Sequence, residues 1–153
     1  MLQLGSAAPD FSLPDSDMEI LKLSKFRGKI VVLYFYPKDD TPGCTTEAIE
    51  FSDLEDEFTR QNATVIGISK DDCMSHAAFR DKHGLAINLL SDQDGHVCEK
   101  YKVWQEKEKD GIRKMGIVRS TFVIDAEGIL KHMQYGVVAK GHASEILELI
   151  KTL

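Results

Sequence analysis

Hydrophobic runs and segments of helical periodicity alternate along the chain. The most continuous run, residues 30–36, is rich in branched and aromatic side chains, a pattern typical of a strand buried on both faces of a covered sheet. Residues 125–128, Asp-Ala-Glu-Gly, are a turn signal between two later runs and predict a β-hairpin. The strands predicted in this way lie at residues 8–13, 30–36, 64–69, 87–90, 120–124 and 129–134.

Between these strands, apolar residues recur at the spacing of a helix. In residues 45–60, Ala48, Phe51 and Phe58 fall on one face, and the acidic residues between them, beginning with Glu47, are expected to form the solvated face. The charged, glycine-containing segment 105–114 shows neither period and is predicted to be a loop. The predicted helices lie at residues 45–60, 74–82, 96–101 and 143–153.

This order of elements predicts an α/β fold. Strands alternate with helices and a hairpin comes late, so the central β-sheet should be mixed and flanked by helices on both faces. The chain has 153 residues, an ordinary length for one domain, and no repeat or low-complexity segment interrupts it. We therefore expect a single domain over residues 1–153, able to bury a core without disulfide or metal staples.

Charge and hydropathy narrow the range of partners. The net charge of −6 disfavours binding to nucleic acid, which needs a concentrated basic surface, and docking on an anionic membrane. No apolar stretch approaches the length of a membrane span. The amino terminus, residues 1–5, lacks a basic start followed by an apolar run, so we expect no export signal and a cytoplasmic location.

The cysteines and histidines give no sign of a metal site or a disulfide framework. The three cysteines, Cys44, Cys73 and Cys98, are odd in number and lack metal-like spacing, so we expect three free thiols. The five histidines are scattered and are expected to be solvated or hydrogen-bonded. No glycine-rich phosphate loop or dinucleotide fingerprint occurs, and we predict neither a metal nor a cofactor.

Cys44 occupies a position at which a thiol is placed for chemistry. It follows the buried run 30–36 and opens the helix at 45–60, so it lies beyond the carboxyl end of a sheet strand, where open α/β sheets bind ligands. Free backbone N–H groups and the positive end of the helix dipole favour an anion there, and only the thiolate is a good nucleophile. A single cysteine at a helix start is also compatible with an inert core residue.

The residues around Cys44 favour the reactive interpretation. Thr41 places a hydroxyl on the same loop, three positions before the sulfur. Pro37 and Pro42 stiffen and cover the loop, and Gly43 lets the backbone come close to a ligand. Together these residues predict a nucleophilic cysteine in a pocket with limited access to solvent.

The segment around Cys44 resembles a known family, the peroxiredoxins. Pro37-x-x-x-Thr41-x-x-Cys44 is similar to the motif around their peroxidatic cysteine, and residues 35–47 resemble the peroxiredoxin Q branch, also called bacterioferritin comigratory protein. The resemblance runs over nearly the whole chain and implies a thioredoxin-like fold. Further matching segments lie at residues 7–11, 118–125 and 139–143.

The resemblance implies a role for each matched residue. Cys44 is expected to be the peroxidatic nucleophile and to form a sulfenic acid, Thr41 to hydrogen-bond the peroxide, and Pro37 to shield the pocket. Arg119, which would otherwise be interpreted as a surface charge, is expected to hold the thiolate and to polarise the departing oxygen. The implied activity is the thiol-dependent reduction of hydrogen peroxide and organic hydroperoxides to water and alcohols.

The reduction of the sulfenic acid departs from the pattern of the branch. Its members carry a second, resolving cysteine either five residues after the nucleophile, where this chain has Ile49, or on the helix at 74–82, which here has no cysteine. We therefore favour a one-cysteine cycle with an external thiol over resolution by Cys73 or Cys98. Thioredoxin is the expected reductant, followed by glutaredoxin or glutathione, and a monomer is expected rather than a dimer because the branch is often monomeric.

Two other functions stay open on the sequence alone. A thiol–disulfide oxidoreductase on the same fold needs Cys-x-x-Cys, and Thr41 stands at the first of those two positions. A non-enzymatic redox sensor or relay would use the same reactive Cys44 but would be oxidised once, without turnover. Catalytic consumption of peroxide with a thiol reductant separates the enzyme from the sensor.

Overall fold

The computed structural model describes residues 2–153; Met1, the first residue of the predicted domain and of the amino-terminal segment, lies outside the described residues. The strands are β1 (Ser12–Pro14), β2 (Ile20–Lys22), β3 (Ile30–Phe35), β4 (Ala63–Ser69), β5 (Asn88–Ser91), β6 (Trp104–Lys109), β7 (Ile112–Ile117), β8 (Ser120–Ile124) and β9 (Leu130–Tyr135). The α-helices are α1 (Pro42–Asp53), α2 (Glu55–Arg60), α3 (Cys73–His83), α4 (His96–Lys100) and α5 (His142–Lys151), and a 3₁₀ helix covers Leu23–Phe26.

Five strands form the central sheet, in the order β5-β4-β3-β8-β9. Strands β3 and β5 run parallel to β4, whereas β8 runs antiparallel to both β3 and β9. The turn predicted at residues 125–128 joins β8 to β9, and its Gly128 N–H donates to the Asp125 carbonyl at 2.9 Å. The predicted α/β fold with a mixed sheet is therefore confirmed.

Strand β3 is buried on both faces, as its apolar run predicts. Alternate side chains enter two cores, with Val31, Leu33 and Phe35 in the first core and Val32 and Tyr34 in the second. Helix α4 and the segment before β3 pack on one face of the sheet and complete the first core. Helices α1, α2, α3 and α5 pack on the other face and complete the second core. Helices thus lie on both faces of the sheet, as predicted.

Tyr34 is accommodated by a glycine in the neighbouring strand. The register of β3 and β4 places Gly67 beside Tyr34. A Cβ atom on Gly67 would lie 2.8 Å from Cζ of the tyrosine ring, so the ring or the strand would have to shift to admit a side chain. The same ring stacks on Phe51 of α1 at a centroid distance of 4.8 Å. Gly67 therefore provides the space in which Tyr34 lies against α1.

The single helix predicted at 45–60 is wrong in its bounds. The helix begins earlier, at Pro42, because proline suits the first helical position, where the N–H has no partner in any case. Leu54, with φ −98° and ψ 5°, separates α1 from α2. Phe51 and Phe58 nevertheless both enter the second core. The apolar periodicity continues across the break, which explains why the pattern did not reveal it.

The loop predicted at 105–114 is wrong, because this segment belongs to an antiparallel hairpin of β6 and β7. The Asp-Gly pair at 110–111 makes its turn, and both residues have positive φ, 54° and 78°, as a two-residue type I′ turn requires. Most side chains of the hairpin are exposed, and Arg113 Nη1 lies 3.7 Å from Glu106 Oε1 across it. A ribbon with no buried face shows no hydrophobic alternation, so the period of two was missing from the sequence.

The first strand, predicted at 8–13, is shifted in the structure. Strand β1 pairs with β2, which was not predicted, in a two-stranded antiparallel ribbon outside the central sheet. Phe11 and Leu13 pack into the first core. The segment therefore covers the sheet without extending it. The other predicted elements are present near their expected bounds. None of the helices described in residues 2–153 is long and apolar enough to cross a membrane.

Candidate active site

Cys44 lies in the first turn of α1, just beyond the carboxyl end of β3, as predicted. Thr41 is the N-cap residue and Pro42 the first helical residue, and the Thr45 N–H donates to the Thr41 carbonyl at 2.8 Å. Cys44 is only 2% exposed and packs in the second core. Its sulfur is therefore sheltered from solvent at the positive end of the helix dipole, where an anion is favoured.

The guanidinium of Arg119 lies beside this sulfur. Arg119 directly precedes β8, and the antiparallel pairing of β3 with β8 places Ser120 opposite Phe35. The start of β8 is thus next to the end of β3, and Nη2 of Arg119 donates a hydrogen bond to Sγ of Cys44 at 3.3 Å. The sheet register brings together two residues that are 75 positions apart in the chain.

Gly43 leaves the room that Arg119 needs. A Cβ atom at Gly43 would lie 3.1 Å from Nη2 of Arg119, tighter than ordinary van der Waals contact. Any side chain at this position would push the guanidinium away from Cys44 or displace the start of α1. The glycine that the sequence predicted to permit close approach of a ligand therefore admits the arginine.

The prediction that the acidic residues of this helix form a solvated face is wrong for Glu47, which is fully buried. Its Oε1 accepts a hydrogen bond from Nη1 of Arg119 at 2.7 Å, so the guanidinium bridges Glu47 and Cys44. Burial raises the pKa of Glu47 to about 7, although the charge of Arg119 opposes the rise. Its Oε2 has no hydrogen-bond partner within residues 2–153. The spacing of three residues from Cys44, one helical turn, is the signal that could have identified Glu47.

The charges around the sulfur are set by burial and by one another. Burial lowers the pKa of Arg119, but Glu47 and Cys44 outweigh it and the net shift is upward, so the guanidinium stays charged. Burial raises the pKa of the Tyr34 phenol well above its usual range, and Glu47 and Cys44 add to the rise. At neutral pH the site therefore holds a fixed cation and an uncharged phenol close to the sulfur.

Thr41 and Pro37 lie in residues 36–41, the connection between β3 and α1, which we call the 36–41 loop. Oγ1 of Thr41 donates to the Lys38 carbonyl at 2.9 Å, so the hydroxyl is fixed within its own loop. Pro37 is exposed near the start of the loop. The structure thus brings Arg119 into contact with Cys44 and places the Thr41 hydroxyl on Lys38.

Two of the histidines, His76 and His142, are buried and hydrogen-bonded, which agrees with the expectation that the histidines are solvated or hydrogen-bonded. Nδ1 of His76 lies 2.7 Å from Oδ2 of Asp39, and Nε2 of His142 lies 2.7 Å from Oγ1 of Thr121. Burial lowers the pKa of His142 to about 4. Polar atoms of Asp39, Asp71 and His76 lie within 4.8 Å of one another, close enough to surround a metal ion, but protein hydrogen bonds already engage them.

The other two cysteines differ in their surroundings. Cys98 is fully buried in the first core, on the face of the sheet opposite Cys44. Burial raises the pKa of the Cys98 thiol far above its usual range, and Asp92 adds to the rise. Cys73 is the first residue of α3 and is partly exposed. The structure therefore separates Cys98 from the candidate site, and all three cysteines are free thiols in the described part of the chain.

Known proteins are similar in sequence to this chain over nearly its whole length. The chain matches the AhpC/TSA family over residues 4–133. It is 43% identical over 152 residues to peroxiredoxin Bcp of Bacillus subtilis, covering 99% of this chain and 97% of that protein. It is 41% identical over 150 residues to peroxiredoxin Bcp of Escherichia coli K12, covering 98% and 96%.

Solved structures agree with these relatives. A bacterioferritin comigratory protein of Xanthomonas campestris, studied for its alkyl peroxide reduction, superposes with a TM-score of 0.91 at 38% identity, covering 99% of this chain and 97% of that one. A PrxQ variant of Xylella fastidiosa superposes with a TM-score of 0.94 at 36% identity, with coverage of 99% and 97%. These similarities confirm the predicted thioredoxin-like architecture.

Proposed function

Because the chain belongs to the AhpC/TSA family and is a thiol-dependent peroxidase of the peroxiredoxin type, we propose that Cys44 is its peroxidatic residue. Peroxides are the substrates of such enzymes, and thioredoxin-type thiols return the oxidised enzymes to the reduced state. The observation that carries the proposal is the hydrogen bond from Arg119 to the Cys44 sulfur, made at the amino end of a helix. Both features favour a thiolate over a thiol.

In the first step, the Cys44 thiolate attacks the terminal oxygen of the hydroperoxide. A sulfur–oxygen bond forms, the O–O bond breaks, and the sulfur gives up two electrons to become a sulfenic acid. The departing hydroxide or alkoxide takes up a proton and leaves as water or alcohol. The sheltered position of Cys44, with 2% of the residue exposed, restricts this reaction to molecules that can reach the sulfur.

Arg119 supports the step in two ways. Its charge favours the thiolate, and its N–H groups are placed to stabilise the negative charge that develops on the departing oxygen. Glu47 holds Nη1 at 2.7 Å and so fixes the plane of the guanidinium, with Nη2 directed at the sulfur. Removing one such donor from an active site costs about 10²–10³ in rate.

We assign Thr41 to hydrogen-bonding the peroxide and Pro37 to shielding the pocket. The Thr41 hydroxyl donates its proton to Lys38. Its oxygen lone pairs therefore stay free to accept a hydrogen bond from the peroxide O–H group. Pro37 stiffens the start of the 36–41 loop because its ring fixes φ.

We propose that an external thiol, with thioredoxin as the preferred source, reduces the sulfenic acid. The thiol attacks the Cys44 sulfur, water leaves, and a mixed disulfide forms, which a second thiol then cleaves. Burial of Cys98 across the sheet and the aliphatic Ile49 in α1 support this cycle. Cys73 is the internal alternative, since it is partly exposed.

The assignment is tested by measuring peroxide consumption by the native chain beside Cys44→Ser, with thioredoxin, glutaredoxin and glutathione supplied in turn. We expect the variant to lose all turnover, whereas the matched thiol replacement Cys98→Ser keeps most of the activity. Persistent turnover in Cys44→Ser refutes the assignment. One equivalent of peroxide should add a single oxygen to Cys44 in the mass spectrum. Loss of two hydrogens through a link to Cys73 or Cys98 contradicts the one-cysteine cycle.

We further propose that residues 1–153 act as one peroxiredoxin domain, as a monomer in the cytoplasm. Three free cysteines in a short chain suit a reducing compartment, in which disulfides do not persist. Both hydrogen peroxide and organic hydroperoxides are proposed as substrates, since the chemistry at Cys44 requires only a polarised O–O bond.

A further inference from the structure

Asp39 carries a buried carboxylate in the 36–41 loop, two residues before the N-cap of α1. Its side chain is only 4% exposed. Oδ1 accepts a hydrogen bond from the Tyr36 hydroxyl at 2.6 Å, and Oδ2 accepts one from Oγ of Ser75 at 2.8 Å. Oδ2 also lies 2.7 Å from Nδ1 of His76. Because Ser75 and His76 belong to α3, this carboxylate fastens the loop to a neighbouring helix.

A proton joins His76 to Asp39. Nε2 of His76 lies 2.9 Å from the Leu90 carbonyl oxygen, which only accepts hydrogen bonds, so Nε2 carries a hydrogen. A contact of 2.7 Å between Nδ1 and a carboxylate oxygen needs a second proton between the two atoms. The Asp39–His76 contact is therefore a short hydrogen bond inside the protein, shielded from competition by water.

The backbone of Asp39 is held together with its side chain. Its N–H donates to Oδ2 of Asp71 at 2.8 Å, and the same oxygen accepts a hydrogen bond from Oγ of Ser69 at 2.6 Å. The chain reaches Thr41 two residues later and Cys44 three residues after that. The position of the first turn of α1 therefore depends on how firmly Asp39 is anchored.

We propose that Asp39 and His76 are a positioning pair that holds Cys44 against Arg119 for attack on peroxide and slows its release toward an external thiol. The inference rests on the proposed role of Cys44 as the peroxidatic residue. Since Cys44 is 2% exposed, a thiol on another molecule cannot reach its sulfur unless the first turn of α1 or the 36–41 loop moves. Firm anchoring thus favours the oxidation step and opposes the reduction step.

The opposite effects on the two steps distinguish positioning from simple stabilisation. In single-turnover experiments, Asp39→Asn and His76→Gln should slow oxidation of Cys44 by hydrogen peroxide about 10-fold, in line with the cost of small misplacements of reacting groups. Reduction of the isolated sulfenic acid by glutathione should become faster in the same variants. Oxidation and reduction that slow together, or that do not change, overturn the proposal.

Asp40→Asn is the matched control. Asp40 is the next residue of the same loop and also binds α3, through Lys82 at 2.7 Å and His83 at 2.9 Å, but its side chain is 42% exposed. We expect both rates of this variant to stay within about twofold of the native chain, because exposed ion pairs contribute little. Equal changes in Asp40→Asn and Asp39→Asn contradict a special role of the buried pair.

Ser75→Ala keeps the test decisive if the buried variants fail to fold. This change removes one hydrogen bond to Asp39 and leaves the contact with His76 in place. A smaller shift in the same opposite directions supports the proposal, and a parallel loss in both steps overturns it. Absence of Cys44 oxidation in the native chain itself would instead refute the proposed function, so the two failures are distinguishable.

Discussion

Replacing Glu47 by glutamine should change how the stability of the protein depends on pH. Glu47 is fully buried, and its carboxylate has one partner, Arg119, and one oxygen without a partner in residues 2–153. Burial raises its pKa from 4.5 to about 7. Glutamine keeps the shape of the side chain and its acceptor for Arg119 but cannot ionise. The substitution therefore removes this titration, and with it the negative charge beside Arg119 at high pH.

The sign and the size of the effect follow from these values. The unfolded chain releases the Glu47 proton near pH 4.5 and the folded chain near pH 7, so between these values the folded state binds more protons. Stability therefore falls as pH rises through this window. Each unit of pKa is worth about 1.4 kcal/mol, so ionisation of Glu47 costs about 3 kcal/mol of unfolding free energy above pH 7.

Urea unfolding at several pH values between 4.5 and 8 measures the effect. The difference in unfolding free energy between Glu47→Gln and the native chain should move by about 3 kcal/mol in favour of the variant across this range. Glu57→Gln is the control, because it removes an exposed carboxylate from α2 by the same chemical change. A difference between Glu47→Gln and the native chain that stays constant with pH refutes the reasoning.

Two glycines give further predictions. Gly43→Ala should slow oxidation of Cys44 by peroxide about 10-fold in stopped-flow assays, because the new Cβ meets Arg119 Nη2 at 3.1 Å. An unchanged rate would show that the guanidinium is free to adjust. Gly67→Ala should lower the unfolding free energy by about 1–3 kcal/mol in urea titrations, because its Cβ meets the Tyr34 ring at 2.8 Å inside the core. A variant as stable as the native chain would show that the ring can move.

Local signals made the central sheet and the position of Cys44 predictable. The apolar run in β3 predicts a strand buried on both faces, and Cys44 follows this run at the start of an amphipathic helix. The strand and the place of Cys44 could therefore be inferred from neighbouring residues. Arg119 is different, because nothing near it in the chain indicates its partner. Its place beside Cys44 depends on the register of β3 with β8, and only the family resemblance suggested it.

Polar residues buried by distant partners were beyond the sequence pattern. Glu47 is an acidic residue in a helix rich in acids, so its sequence context indicates a solvated face. Its partner, Arg119, lies 72 positions away in the chain. His76 and Asp39 are 37 positions apart and meet only when α3 packs beside the 36–41 loop. The hairpin at 104–117 was missed for a different reason. Most of its side chains are exposed on both faces, so the sequence shows no hydrophobic alternation there.

If activity depends on the contact between Cys44 and Arg119, as proposed, then enzymatic activity also reports on the progress of folding. The helix that carries the thiol can form from local contacts, whereas the guanidinium arrives only after 75 further positions have been synthesised and β8 has docked against β3. A nascent or partly refolded chain holds the thiol without its cation, so the proposed roles of Cys44 and Arg119 predict that peroxidase activity returns only when β8 pairs with β3. The rate at which turnover recovers after dilution from denaturant should therefore equal the rate at which β8 pairs with β3.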